Sequence, residues 1–160
     1  SEWLEKVQQQ LRRVVRKLVP VEIDEHGLLD ALRGLAERTT ETHDVDCRLE
    51  CAQLIRVADT TLATHVYRIA QEAVRNAVRH AGAGEIWITL TEDAGVLKLA
   101  VEDDGIGIPP TTNQETGFGL RSMAYRAGLI GGQFDCQPRE GGGTRVTCTV
   151  LRAGGVDENQ

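Results

Sequence analysis

Glu72 and Asn76 stand four residues apart, so on a helix their side chains stack on one face. A carboxylate there can hold or deprotonate an incoming nucleophile. The Asn76 amide oxygen is a hard, neutral donor suited to magnesium, which keeps several waters and binds phosphates as well. His80 continues the row, and Arg79, three residues beyond Asn76, could meet phosphate oxygens. Taken alone, the row is better explained as a solvated polar face.

Three further segments offer backbone chemistry. Val101-Glu102-Asp103-Asp104-Gly105-Ile106-Gly107-Ile108-Pro109 runs an apolar strand into paired acids and two glycines. Carboxylates do not cradle phosphates, but one of these acids could accept a hydrogen bond from an amino group such as the exocyclic amine of adenine. Gly105 and Gly107 would let a base lie against bare backbone. The spacing is neither a dinucleotide fingerprint nor a Walker loop. Nor do the acids recur at the alternate positions of a calcium loop. Gly117-Phe118-Gly119-Leu120-Arg121-Ser122-Met123 places glycines just before an expected helix, whose first amides would bind anions. Gly141-Gly142-Gly143-Thr144 opens the last strand, where the Thr144 hydroxyl could bond a base or a water.

The elements that must position these residues follow from periodicity. Trp3, Val7, Leu11, Val14 and Leu18 predict a helix over 2–18, stopped by Pro20. It either packs on the domain or is the stub of a longer helix. Its basic residues Arg12, Arg13, Arg16 and Lys17 read as a solvated face. Leu28, Leu29, Leu32, Leu35 and Ala36 predict a second helix over 27–42, with Asp24 as its cap. Val45 to Cys51 alternates as a strand. Asp59-Thr60-Thr61 caps a long third helix, about 61–80, closed by Ala81-Gly82-Ala83-Gly84. A hairpin pairs Ile86–Leu90 with Val96–Val101 around Glu92-Asp93-Ala94-Gly95. A mobile loop is expected over 104–118, a short helix over 120–129, and strands over 133–137 and 144–151. Hairpins outnumber helical crossovers in this order. The expected fold is therefore a two-layer α/β sandwich, a mainly antiparallel sheet with helices on one face.

At 160 residues the chain fits one domain with a real core. Its net charge of −6 argues against broad nucleic-acid binding, which needs a basic face. No run of about 18 apolar residues spans a membrane. The N-terminus is polar, unlike a signal peptide, and residue 1 is not Met, so a piece of a longer protein is expected. Cys47, Cys51, Cys136 and Cys148 lack zinc-ribbon spacing and read as reduced, structural cysteines.

In order and spacing the four segments resemble the ATP-binding domain of sensor histidine kinases, in the superfamily that also holds DNA gyrase, MutL and the large heat-shock chaperone. The resemblance runs from about Leu28 to Leu151. Arg68 to Ala81 resembles the N box of the subgroup related to nitrate/nitrite sensors; the other three segments resemble the glycine boxes. The resemblance implies the Bergerat-type ATP-binding fold over 21–152. A dimerisation or linker helix would end within 1–20, and a disordered tail would follow over 153–160. It implies ATP and magnesium as ligands, with Asn76 on the metal, Glu72 acting near the γ-phosphate, and Arg79 and His80 facing phosphates. Asp103 would read the adenine amine, with Gly105, Gly107 and Ile108 along the base. Gly117, Phe118, Gly119 and Leu120 would shape a lid over 108–118, and Thr144 would sit near the base.

The implied partners are the protein's own dimerisation domain, which carries the phosphoacceptor histidine, and a response-regulator receiver domain, within a homodimer. The domain would be cytoplasmic, with membrane anchoring of the whole protein left open. His26, His43, His65 and His80 all lack the setting of a phosphoacceptor, so that histidine is expected outside this chain. The rivals are an ATP-driven conformational switch, a non-enzymatic nucleotide or partner-binding module, and a serine kinase.

Overall fold

The computed structural model describes residues 2–18, 23, 27–107 and 114–152, with 12–18 and 114–116 by backbone alone. Pro20, Asp24, Ile108 and the tail from Ala153 lie outside the described residues. The chain folds as α1 (Glu2–Leu18), α2 (Gly27–Thr42), β1 (Asp46–Glu50) and α3 (Thr60–Asn76), the last continued by a π-helical turn (Ala77–Ala81). Then come β2 (Glu85–Asp93), β3 (Val96–Asp103), α4 (Gln114–Leu129), β4 (Gln133–Pro138) and β5 (Thr144–Leu151).

The five strands form one sheet in the order β1-β2-β3-β5-β4. Only the β1–β2 pairing is parallel. The α3 crossover between β1 and β2 makes it so, whereas β2–β3 and β4–β5 are hairpins. Ala94 and Gly95 turn the first hairpin with φ of 51° and 78°, the positive pair that matches strand twist.

Alternation places one face of each strand in the core. Ile86, Ile88 and Leu90 of β2, Leu97, Leu99 and Val101 of β3, and Val146, Cys148 and Val150 of β5 are all buried. They face α2, α3 and α4, whose inner stripes include Leu32, Ile69 and Met123, all fully buried. Each such side chain contributes roughly 1.5–3 kcal/mol relative to exposure. The two-layer sandwich expected from the element order is thus the fold observed.

Asp59 caps α3, its Oδ1 accepting from the Leu62 amide at 3.1 Å; such a cap contributes about 1 kcal/mol. Gly82, left-handed at φ 59°, closes the π turn. In α1 Trp3, Leu4 and Leu11 are 72%, 53% and 56% exposed, while Val7 is half-buried.

The fourth helix departs from expectation. It begins at Gln114 rather than Leu120, so Gly117 and Gly119 lie inside the helix, not in a loop before it. Each helical glycine costs about 1 kcal/mol against alanine, which is why the pair reads as a helix breaker. Packing overrides that cost at Gly119, as the site shows.

Candidate functional site

Asp103 is the last inward-facing residue of β3. Its ladder neighbours are Ile86 on one side and Thr144 on the other. The core row of the sheet therefore ends in a carboxyl that is only 6% exposed. Its Oδ1 accepts from the Gly105 amide at 2.9 Å. Burial pushes its pKa up, and the Asp104 charge adds to that; the amides of Gly105 and Thr144 and the Arg139 charge oppose it.

Asp104 turns the other way. Its Oδ1 accepts from the amides of Gly84 and Glu85, both at 2.9 Å. The Glu85 bond first, with help from Gly84, holds this exposed carboxyl below the usual carboxylate range. Of two adjacent acids, one faces the cleft and the other staples the loop to the start of β2.

The glycines around them are forced by close approach. A Cβ at Gly105 would lie 2.4 Å from the Ala81 Cβ and 2.5 Å from its carbonyl oxygen. That oxygen also accepts from the Ile106 amide at 2.9 Å, tying the loop to the π turn. A Cβ at Gly143 would lie 1.8 Å from the Asp103 carbonyl oxygen. Gly107 adopts φ 81° and faces the Gly143 carbonyl.

These residues enclose a cleft of about 440 Å³ of empty space, its mouth included. Asn76, His80, Asp103, Gly107, Leu120 and Thr144, all singled out by the resemblance, line it. Its remaining walls are Ala73, Ala77, Ala81, Val101, Val146 and Cys136. The alanines recur every four residues, a small-residue stripe on α3 and the π turn that leaves room for a flat ligand. That repeat was a readable signal. Cys136 gave none, because an inward cysteine on a strand looks the same in a core wall or a cleft wall. Burial pushes its thiol up to about 11, the nearby Asp135 and Asp103 charges adding to the effect.

Glu72 sits at the edge of this cleft rather than in its lining, with Oε2 3.6 Å from Arg75 Nη1. A Cβ at Gly119 would lie 2.5 Å from Glu72 Oε1 and 3.3 Å from Asn76 Nδ2. So α4 approaches the ends of the Glu72 and Asn76 side chains directly, and a Cβ at Gly119 would push the Glu72 carboxylate aside. Gly117 is half-buried nearby, while Phe118 is 73% exposed and outside the lining.

Arg79 is not brought to the cleft. It borders a groove between α2 and α3 with Leu35, Thr39 and His43. The π turn starts after Asn76, and its wider winding advances each residue less around the axis than an α-helix does. His80 still reaches the cleft; Arg79 does not.

A buried carboxyl, a threonine, bare glycine backbone and apolar walls suit a flat heteroaromatic ring bearing an amino group. Sheet, helices and cleft together define the class of the domain. It has the fold of the ATP-binding domain of PrrB from Mycobacterium tuberculosis, with a TM-score of 0.62 at 24% identity, covering 78% of this chain and 93% of that one. Full-length ShkA in complex with AMPPNP matches with a TM-score of 0.62 at 20% identity, covering 84% of this chain and 32% of that one. The family model for histidine kinase-, DNA gyrase B- and HSP90-like ATPases matches residues 61–154, more than half of the chain. The chain belongs to this family.

Among curated relatives, the nitrate/nitrite sensor protein NarX of Escherichia coli K12 is 30% identical over 131 residues, 82% of this chain and 22% of the relative. The sensor protein NarQ homolog of Haemophilus influenzae is 35% identical over 125 residues, 78% of this chain and 21% of the relative. The chain spans about a fifth of the length of these sensor proteins.

Proposed function

We propose that this chain is the ATP-binding catalytic portion of a two-component sensor histidine kinase. It would present magnesium-ATP to a histidine on a separate dimerisation domain of a homodimer. The phosphoryl group would then pass to a response-regulator receiver domain. The observation that carries the reading is Asp103: a carboxyl 6% exposed in a cleft whose other walls are mostly apolar side chains and small residues, with Asn76, His80 and Thr144 as its other polar members. Burying a carboxyl costs free energy that the Gly105 and Thr144 amides only partly offset, and an adenine amine is a further matching donor.

The roles divide by position. Asp103 accepts from the base, and Thr144 lies beside it in the ladder. Gly107 and Leu120 bound the ring plane. Asn76 and Glu72 face the α4 backbone at Gly119, where the phosphates would run. Their oxygens are hard donors of the kind magnesium takes. Among the described residues no cluster of three or more His, Cys, Asp or Glu side chains could hold a metal. Asn76 is the donor we assign to a cation shared with the nucleotide. When bound, that cation supplies charge neutralisation on the phosphates. Glu72 is placed to accept the proton of the attacking nucleophile, and the histidine that attacks is assigned to another domain. Residues 1–20 are assigned as the end of the dimerisation helix.

Calorimetric titration of the chain with ATP, with and without magnesium, tests the site. Asp103→Ala should weaken binding about 10- to 100-fold, the range for a lost hydrogen bond to a charged group. Asn76→Asp in the whole protein should abolish histidine phosphorylation. Undiminished phosphorylation by that variant would sink the kinase reading.

A further inference from the structure

The loop between β4 and β5 is closed by backbone hydrogen bonds and tied to the outer face of the sheet by one side chain. Gly141, Gly142 and Gly143 hold φ of 88°, 109° and 103° and have no side chains to anchor them. Arg139 supplies the anchor. Its amide donates to the Gly143 carbonyl at 3.0 Å, and its carbonyl accepts from the Gly142 amide at 3.1 Å. Its guanidinium Nη1 donates to the Gly142 carbonyl at 3.3 Å. The same guanidinium lies 4.5 Å from the centroid of the Trp87 ring. Trp87 stands on the outer face of β2, in a row with Glu102, Arg145 and Gln137 of the neighbouring strands. The guanidinium therefore ties the glycine loop to the side of the sheet away from the core.

The inner edge of that loop touches the cleft. Gly143 presses on the Asp103 backbone, and Thr144 follows it into the lining. Arg139 itself borders the groove outside the cleft, not the cleft wall.

We propose that Arg139 is a positioning residue for the nucleotide: clamped on Trp87, it fixes the glycine loop, and through it Asp103 and Thr144, without touching the base. This rests on the reading of the cleft as a nucleotide site. Loss of the clamp leaves the loop its two backbone hydrogen bonds but frees it from the outer face of the sheet, so the ligand must order part of it and that entropy is taken from the affinity.

The test is ATP titration of the chain and its variants. Arg139→Ala should raise the dissociation constant about five- to tenfold, the scale of a partly shielded cation–π contact with one hydrogen bond. Arg139→Lys, which keeps the charge over the ring, should stay within about twofold. Trp87→Leu should reproduce the loss, and the double variant should bind no worse than either single one. In a Trp3→Phe background Trp87 is the sole tryptophan. Its emission should then shift on ATP addition, and the shift should vanish in Arg139→Ala.

Native-like affinity for Arg139→Ala in a chain that otherwise binds ATP overturns the clamp and leaves the nucleotide reading intact. Additive losses from Arg139→Ala and Trp87→Leu also overturn it. Absence of ATP binding by the unaltered chain removes the nucleotide reading and the clamp with it. If Arg139→Ala does not fold, Trp87→Leu and Arg139→Lys make the same comparison from the partner side.

Discussion

At the scale of single residues, adjacent identical side chains have separate tasks. Asp103 is buried and faces the cleft; Asp104 is exposed and spends its lone pairs on two backbone amides. Nothing in the pair Asp-Asp distinguishes them. What does is strand parity: Val101 and Asp103 share the inner face, so Asp103 is the polar end of an apolar row. In the sequence the family resemblance singled out Asp103, while helical spacing put Asn76 and His80 in one row; strand parity is the physical reason the structure adds for Asp103. Cys136 was not legible, and it yields a prediction. Only the thiolate reacts with iodoacetamide, and a thiol pushed up to about 11 is almost wholly protonated at neutral pH. In a chain with the other three cysteines replaced by serine, alkylation of Cys136 should be slow at pH 7. It should rise about tenfold per pH unit towards 11. Saturating nucleotide should suppress it, since the thiol lines the occupied cleft. Mass spectrometry of the alkylated peptide reads both effects.

At the scale of elements, α2, α3 and both hairpins were readable because periodicity and turn chemistry agree in each. The start of α4 was not. Gly117 and Gly119 argue locally for a break, and only the contact with α3 explains why helix continues through them. The π turn was equally hidden, and with it the turning away of Arg79. The glycines of α4 give a paired prediction. A Cβ at Gly119 meets Glu72, whereas a Cβ at Gly128 meets nothing within 4 Å. Gly128→Ala should therefore stabilise the domain by about 0.4–1 kcal/mol. Gly119→Ala gains the same propensity but forces the Glu72 carboxylate aside, so it should stabilise less than Gly128→Ala and should weaken nucleotide binding by displacing Glu72. Urea unfolding of the two variants beside the native chain separates helix propensity from packing.

At the scale of the molecule, every residue lining the cleft lies between Ala73 and Val146, and its walls come from α3, β3, α4, β4, β5 and their connections. A ligand bound there bridges elements from most of the sheet, so binding must report on global unfolding. ATP at about 100 times its dissociation constant adds about 2.7 kcal/mol to the native state. For a chain of this length that is a rise in Tm of about 5–10 °C. Asp103→Ala should lose most of the rise; an equal shift in that variant would place the ligand elsewhere.

None of α2 or β1 reaches the cleft. Their inner faces cover one edge of the core, and their demand on the sequence is hydrophobic and generic. The second half must instead keep individual atoms in place: a glycine against Ala81, another against Glu72, a carboxyl at the end of a strand. Selection therefore acts on the two halves in different currencies, on side-chain volume in the first and on residue identity in the second. The family match begins at residue 61, one residue into α3. Volume-conserving swaps among the buried apolar residues of 27–50 should therefore be tolerated, whereas a side chain at Gly105 or Gly143 has no room against Ala81 and Asp103.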